Sequence, residues 1–180
     1  AREQRRLMLQ GYSLYVTPER DYPIAAFHRK SDEKDNAIGY QKAAMVFHQL
    51  RMEIGDAAFW RGVKQLVADL SGRHADWQDL ERVFAAVSGQ ELRWFFAQWI
   101  ERPGAPAVAI AEATAAPDRD QPGFYRLRVS LARDGGAFRF ILPLSIAMKG
   151  STHSASAGCC CWHRCSPPPV HWCSEDLDRR

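Results

Sequence analysis

IGYQKAAMVFHQLRMEIGDAAFWRGVKQLVADL, Ile38 to Leu70, carries two helical patterns back to back across a single glycine. In the first, Ala43, Phe47, Leu50 and Ile54 recur at helical spacing on one face, and Gly55 supplies the stop. In the second, Asp56 is the natural N-cap and Phe59, Val63, Leu66, Val67 and Leu70 face inward. Two amphipathic helices joined by so short a connection lie antiparallel and bury their stripes against one another. The fold class follows from this stretch: mainly α, built from helical hairpins.

Outward from there the same grammar continues. Gly72 closes the second helix, Asp76 caps a third with Trp77, Leu80, Phe84 and Val87 on its stripe, and Gly89 ends it. A fourth, from about Glu91 to Glu101, buries Leu92, Phe95, Phe96 and Trp99 before Pro103 forbids continuation. Arg2 to Tyr15 reads as a further helix, and the charged SDEKDN, Ser31 to Asn36, as an exposed loop. Aromatics at helical spacing fill volume, so the six tryptophans read as core.

From Ala105 the pattern turns to strands. Ala107 to Ala111 is apolar and extended, FYRLRVSL alternates with period two, and RDGG turns into FRFILPLSIAM. After Gly150, STHSASAGCCCWHRCSPPPVHWCSEDLDRR shows neither helical nor strand period, so the last strand has no legible continuation. The expected divisions are 1–102 helical, 103–150 an incomplete β-sandwich domain, and 151–180 an irregular Cys- and Pro-rich tail, disordered or translated out of frame.

Composition narrows the function classes. With 180 residues, 46% hydrophobic and 25% charged, the chain falls in the globular class. The net charge of +3 is spread along the sequence rather than gathered into a stripe, so nothing calls for nucleic acid. No run approaches the roughly 18 apolar residues of a membrane span. The start at Ala1, without an initiator Met or a long apolar leader, reads as a chain entered partway through. All five cysteines lie between Cys159 and Cys173, which leaves the main body without a disulfide framework.

The usual catalytic signatures are missing. His28, His48 and His74 are too far apart in sequence to make an HExxH zinc motif, and neither a phosphate loop nor a Gly-x-Ser-x-Gly elbow occurs. His48, within an amphipathic helix, reads as a partly buried side chain, and His74 as a turn residue beside Asp76. In the tail, Cys161, Cys165 and Cys173 with nearby histidines could hold a structural zinc, although three adjacent cysteines do not match the usual knuckle spacing. Tyr40, at the mouth of the first helix, reads on its own as an aromatic staple.

Two stretches, IGYQKAAMVFHQLRMEIGDAAFW and DWQDLERVFAAVSGQELRWFFAQWIERPGAPAVAI, together resemble the aminopeptidase N family of zinc metallopeptidases. The ordered elements are a Tyr-x-Lys-Ala helix start, an Ile-Gly stop, a Phe-rich helix, a Phe-x-x-Trp segment and a Gly-x-Pro turn into a strand. The resemblance spans roughly Gly11 to Lys149 and implies the helical C-terminal half of a thermolysin-like catalytic domain followed by the start of a β-sandwich. It also implies a role for Tyr40, donating a hydrogen bond to the oxyanion formed when zinc-activated water attacks a peptide carbonyl.

In that family the zinc ligands, the general-base glutamate and the Gly-rich motif that holds the peptide amino terminus precede the Tyr element. The expectation is therefore a piece of a zinc aminopeptidase that removes N-terminal residues from peptides. On this reading Tyr40 is the one catalytic residue, the chain itself holds no zinc, a zinc-bearing N-terminal half is the missing partner, and the chain alone is inactive. Lys42 matches the family as well and reads as a solvated or helix-capping charge. The alternative is a non-catalytic helical interaction module with a Cys/His zinc tail.

Overall fold

The computed structural model describes residues 2–120, 122, 124–134, 136–148 and 151–159. The chain is mainly α with a smaller antiparallel β portion, and it divides into two compact units, Ala1–Gly104 and Ala105–Arg180.

The first unit begins with helix α1, Arg2–Tyr15, which buries no residue completely. A short 3-10 turn, Ile24–Ala26, follows and seats Ile24 in the core. The expected loop at SDEKDN is instead helix α2, Glu33–Asn36. Its charges have partners that the sequence pattern hides: the Asp32 carboxylate caps the helix by accepting from the Asp35 amide, and Asp35 is buried.

The backbone then runs without a break through a π-helical segment, Ala37–Lys42, into α3, Ala43–Ile54. Ala43, Val46, Leu50 and Ile54 are buried on α3, whereas Phe47 is only half-buried. Gly55, at φ 80°, makes the stop that an L side chain resists. It also occupies the N-cap of α4, Asp56–Leu70, and Asp56 does not cap; its carboxylate is paired with Arg51 across the corner. On α4 the buried residues are Ala58, Phe59 and Gly62, while Val67 is exposed, contrary to expectation. Gly62 lets the ring of Phe84 lie where a Cβ would stand, so α4 and the next helix meet closely there.

Helix α5, Trp77–Ser88, starts at a full capping box between Asp76 and Asp79 and ends on left-handed Gly89. Helix α6, Arg93–Trp99, buries Phe95, Phe96 and Trp99, with Leu92 buried just before it. The stacked Phe59–Phe84 pair joins α4 to α5, and Phe95 and Phe96 meet edge to face. Of the tryptophans expected in the core, Trp60 is half exposed with the Arg51 guanidinium over its ring, and Trp162 and Trp172 lie outside the described residues.

The second unit holds β1, Ala107–Pro117, paired antiparallel with β2, Tyr125–Asp134, with a register shift between Ile110 and Glu112. A second hairpin pairs β3, Phe140–Met148, with β4, Ser151–Cys159. The strands flanking RDGG are thus not partners of each other among the described residues.

The expectation that no strand follows Gly150 does not hold. Ala157 and Ala155 stand opposite Leu142 and Leu144, and Ser156 and Ser154 opposite Pro143 and Ser145. An alternation of two does occur within β4, from Ser154 to Ala157, but it is written in Ala and Ser, whose small difference in hydrophobicity leaves little pattern to see. Cys160 to Arg180, on which the out-of-frame and zinc-tail readings rest, lie outside the described residues.

Candidate functional site

The π-helical segment AIGYQK carries the one residue singled out for catalysis. A π turn widens the helix by closing i to i+5 rather than i to i+4, and such turns concentrate at functional sites. Here it presents different residues on its two sides. Ala37, Ile38 and Lys42 are buried, while Tyr40 is 56% exposed. The Tyr40 ring rests edge-on against Phe27, centroids 5.4 Å apart at 76°. Its hydroxyl engages no partner among the described residues. Phe27 fits because Gly39 has no Cβ: one added there would stand 2.3 Å from the Phe27 ring.

Behind the segment lies a cluster that the sequence did not announce. Tyr12 of α1 donates its hydroxyl to Asp21 Oδ2 at 2.7 Å, and the Gly104 amide donates to the same oxygen. Asp21 Oδ1 accepts from the Tyr22 amide. The Lys42 ammonium lies 5.6 Å from the centroid of the Tyr12 ring. Lys42 is 6% exposed, and its Nζ has no hydrogen-bond partner among the described residues. The expectation of a solvated or capping charge is therefore overturned: the wide turn swings Lys42 inward against α1.

Burial pulls the Lys42 ammonium below the usual lysine range; the negative Asp21 opposes that and the positive Arg102 reinforces it. Burial, and then the bond to Asp21, push the Tyr12 phenol far above its ordinary value, so it stays protonated. No local pattern could have revealed this cluster, since its members come from four separated stretches. The nearest signal is Gly11, whose missing Cβ makes room for the Gln41 side chain beside the Lys42 position.

Burial, with the positive charges of Arg5 and Arg51, holds the His48 imidazole below its usual value, so it is neutral near pH 7. His74 and His28 are exposed. Among the described residues no group of three His, Cys, Asp or Glu side chains is placed to hold a metal ion. The described residues thus do not fit a zinc.

Comparison with known proteins adds the context that the geometry lacks. No protein-family model matches the chain. Aminopeptidase N of Lactococcus lactis is 33% identical over 75 residues, which cover 42% of this chain and 9% of that protein. Leucyl aminopeptidase of Saccharolobus solfataricus is 26% identical over 132 residues, 72% of this chain and 16% of that one. Probable aminopeptidase 1 of Sulfurisphaera tokodaii is 24% identical over 123 residues, 68% of this chain and 15% of its own length. The chain is related to aminopeptidases. It spans only 9% to 16% of the length of these relatives. Among the described residues, no helix is long and apolar enough to cross a membrane.

Proposed function

We propose that the chain is part of a zinc-dependent aminopeptidase, supplying the helical C-terminal half of its catalytic domain and the start of a following β-sandwich domain. In this reading Tyr40 stabilises the oxyanion formed when water attacks the scissile carbonyl of a peptide. The observation that carries it is the posture of Tyr40: a phenol held out from a partly buried π-helical segment, braced by Phe27, with its hydroxyl uncommitted among the described residues. A phenol suits the task because it donates a hydrogen bond toward developing negative charge while remaining neutral near pH 7.

Metal and general base would be contributed by a zinc-bearing N-terminal half, because the 180 residues contain no HExxH. The chain alone is then inactive. The apolar side chains exposed on α1, Leu7, Leu14 and Tyr15, favour association with that half or, in its absence, with other copies.

The test has two arms. Purified chain should release no aminoacyl chromogen, and robust chelator-sensitive turnover would overturn the claim of inactivity. The second arm replaces the homologous stretch of the Lactococcus lactis relative with the stretch of this chain that contains Tyr40. Tyr40→Phe in that chimera should lower kcat by about 10²- to 10³-fold, the usual worth of one oxyanion donor. Equal activity of the Tyr and Phe chimeras would remove the catalytic assignment.

A further inference from the structure

Lys42 is the anomaly of the helical unit. Buried ammonium groups are paired, and an unpaired one costs several kcal/mol. Among the described residues Nζ has no hydrogen bond, and what acts on it is the Tyr12 ring, the Asp21 carboxylate at longer range and the Arg102 guanidinium. A methionine of similar length would fill the same space without a charge to desolvate. The charge therefore calls for a reason beyond packing.

Geometry supplies one. Residues two apart on a helical segment do not share a face, and Tyr40 and Lys42 obey this: one is 56% exposed and the other 6%. The segment is gripped at three of its positions, 39, 41 and 42. Phe27 lies on Gly39, the Gln41 side chain lies on Gly11, and the Lys42 ammonium sits over the Tyr12 ring. The first two contacts are steric and set distance. The third is directional, because a cation is drawn to the face of a ring and, here, toward the carboxylate that the same tyrosine holds. It fixes rotation of the turn about its axis, and that rotation decides where the phenol on the other side points.

We propose that Lys42 is a positioning residue for Tyr40: its buried ammonium, held over the Tyr12 ring, locks the rotation of the π-helical turn and so aims the Tyr40 phenol. Its importance for turnover rests on the oxyanion role of Tyr40, but the aiming itself is measurable without turnover. Asp21, by holding the Tyr12 hydroxyl, keeps the ring under the ammonium.

The experiment uses the full chain made with 3-fluorotyrosine, whose five tyrosines give separate fluorine resonances, with Tyr40 assigned by Tyr40→Phe. In Lys42→Met, circular dichroism should show the wild-type helix content. The Tyr40 resonance should nevertheless move by more than its linewidth, while that of Tyr125, in the second unit, stays in place. Lys42→Arg, which keeps the charge, should bring the Tyr40 resonance back toward the wild-type position. An unmoved Tyr40 resonance in folded Lys42→Met overturns the proposal. So does an arginine variant displaced as far as the methionine one, since bulk rather than charge would then matter. Should Lys42→Met fail to fold, Tyr12→Leu keeps the lysine, removes its ring and decides by the same resonance. Activity plays no part in this readout, so loss of the oxyanion role in the chimera and loss of the aiming role here are separate outcomes.

Discussion

Two groups of tyrosine, aspartate and lysine flank the π-helical turn, and they are built to different standards. On one side Tyr22 donates to Asp35 Oδ1 at 2.9 Å, Lys34 Nζ reaches the same oxygen at 2.9 Å, and the Ser31 amide donates to Oδ2. Lys34 also lies 5.0 Å from the Tyr22 ring centroid. On the other side Tyr12 and Asp21 are bonded in the same way, but Lys42 stands over its ring with no acceptor among the described residues. The satisfied group holds α2 in place and explains a helix where six polar residues suggested a loop. The unsatisfied one gives up stability at the turn that carries Tyr40. Departures from full pairing of this kind collect where geometry serves something other than stability.

The largest effect expected from breaking this comparison is at Asp21. Asp21→Ala strands the Tyr12 hydroxyl, the Tyr22 and Gly104 amides and the charge of Lys42, and should cost about 3 kcal/mol or more by urea denaturation. Adding Lys42→Met should return about 2 kcal/mol, more than the same substitution yields in the wild-type background, since the stranded ammonium goes with it; strict additivity in that double-mutant cycle would mean that Asp21 and Lys42 do not interact.

Next in size is Tyr22→Phe, which takes one donor from a carboxylate and should cost about 1.5 kcal/mol by the same measurement. The two lysines should then part in sign. Lys34→Met is expected to destabilise by about 1 kcal/mol, and Lys42→Met to leave stability unchanged or raise it by about 1 kcal/mol. Equal losses at the two sites would erase the distinction between the groups.

The smallest effects concern pH. Asp35 is held down to about 2, first by the bond from Lys34 and then by that from Tyr22. Its contribution is present above the unfolded value near 3.8 and should fade as pH falls through about 2. On the alkaline side Lys42 opposes the tyrosines of both groups, Tyr12 and Tyr22. The Lys42 amine loses its proton in the folded chain before the unfolded one does, so stability should rise with pH up to 10.5. Burial and the bond to Asp35 push Tyr22 up to about 12, so its contribution is lost above pH 10. Denaturation midpoints against pH should lose the rising limb in Lys42→Met and keep the acid one.

Much of the helical unit was legible because its signals are local. The Asp76 box, the Gly55 and Gly89 stops and the Leu92-Phe95-Phe96-Trp99 stripe each lie within one turn or two of chain, where periodicity and capping act. What escaped was fixed by partners distant in sequence. Asp35 is drawn inward by Tyr22, thirteen residues away, and Lys42 by Tyr12 on another helix, so a text of polar residues gave no sign of burial. Val67 and Trp60 carried the right chemistry for a core but stand exposed on α4. The π turn itself has no sequence code: AIGYQK satisfies an ordinary helix as well. Tyr40 could be singled out only through the order of motifs around it, because one aromatic at a helix start is compatible with simple packing.

The bond from the Gly104 amide to Asp21 spans 83 residues and reaches the last residue of the helical unit. Synthesis proceeds at about 5 to 20 residues per second, so a nascent Asp21 waits roughly 4 to 17 s for that donor to be made. For all of that interval the carboxylate beneath Tyr12 lacks one of its ligands, and the bed on which Lys42 settles is unfinished. The bed beneath the turn that carries Tyr40 is thus complete only once the last residue of the unit has been made.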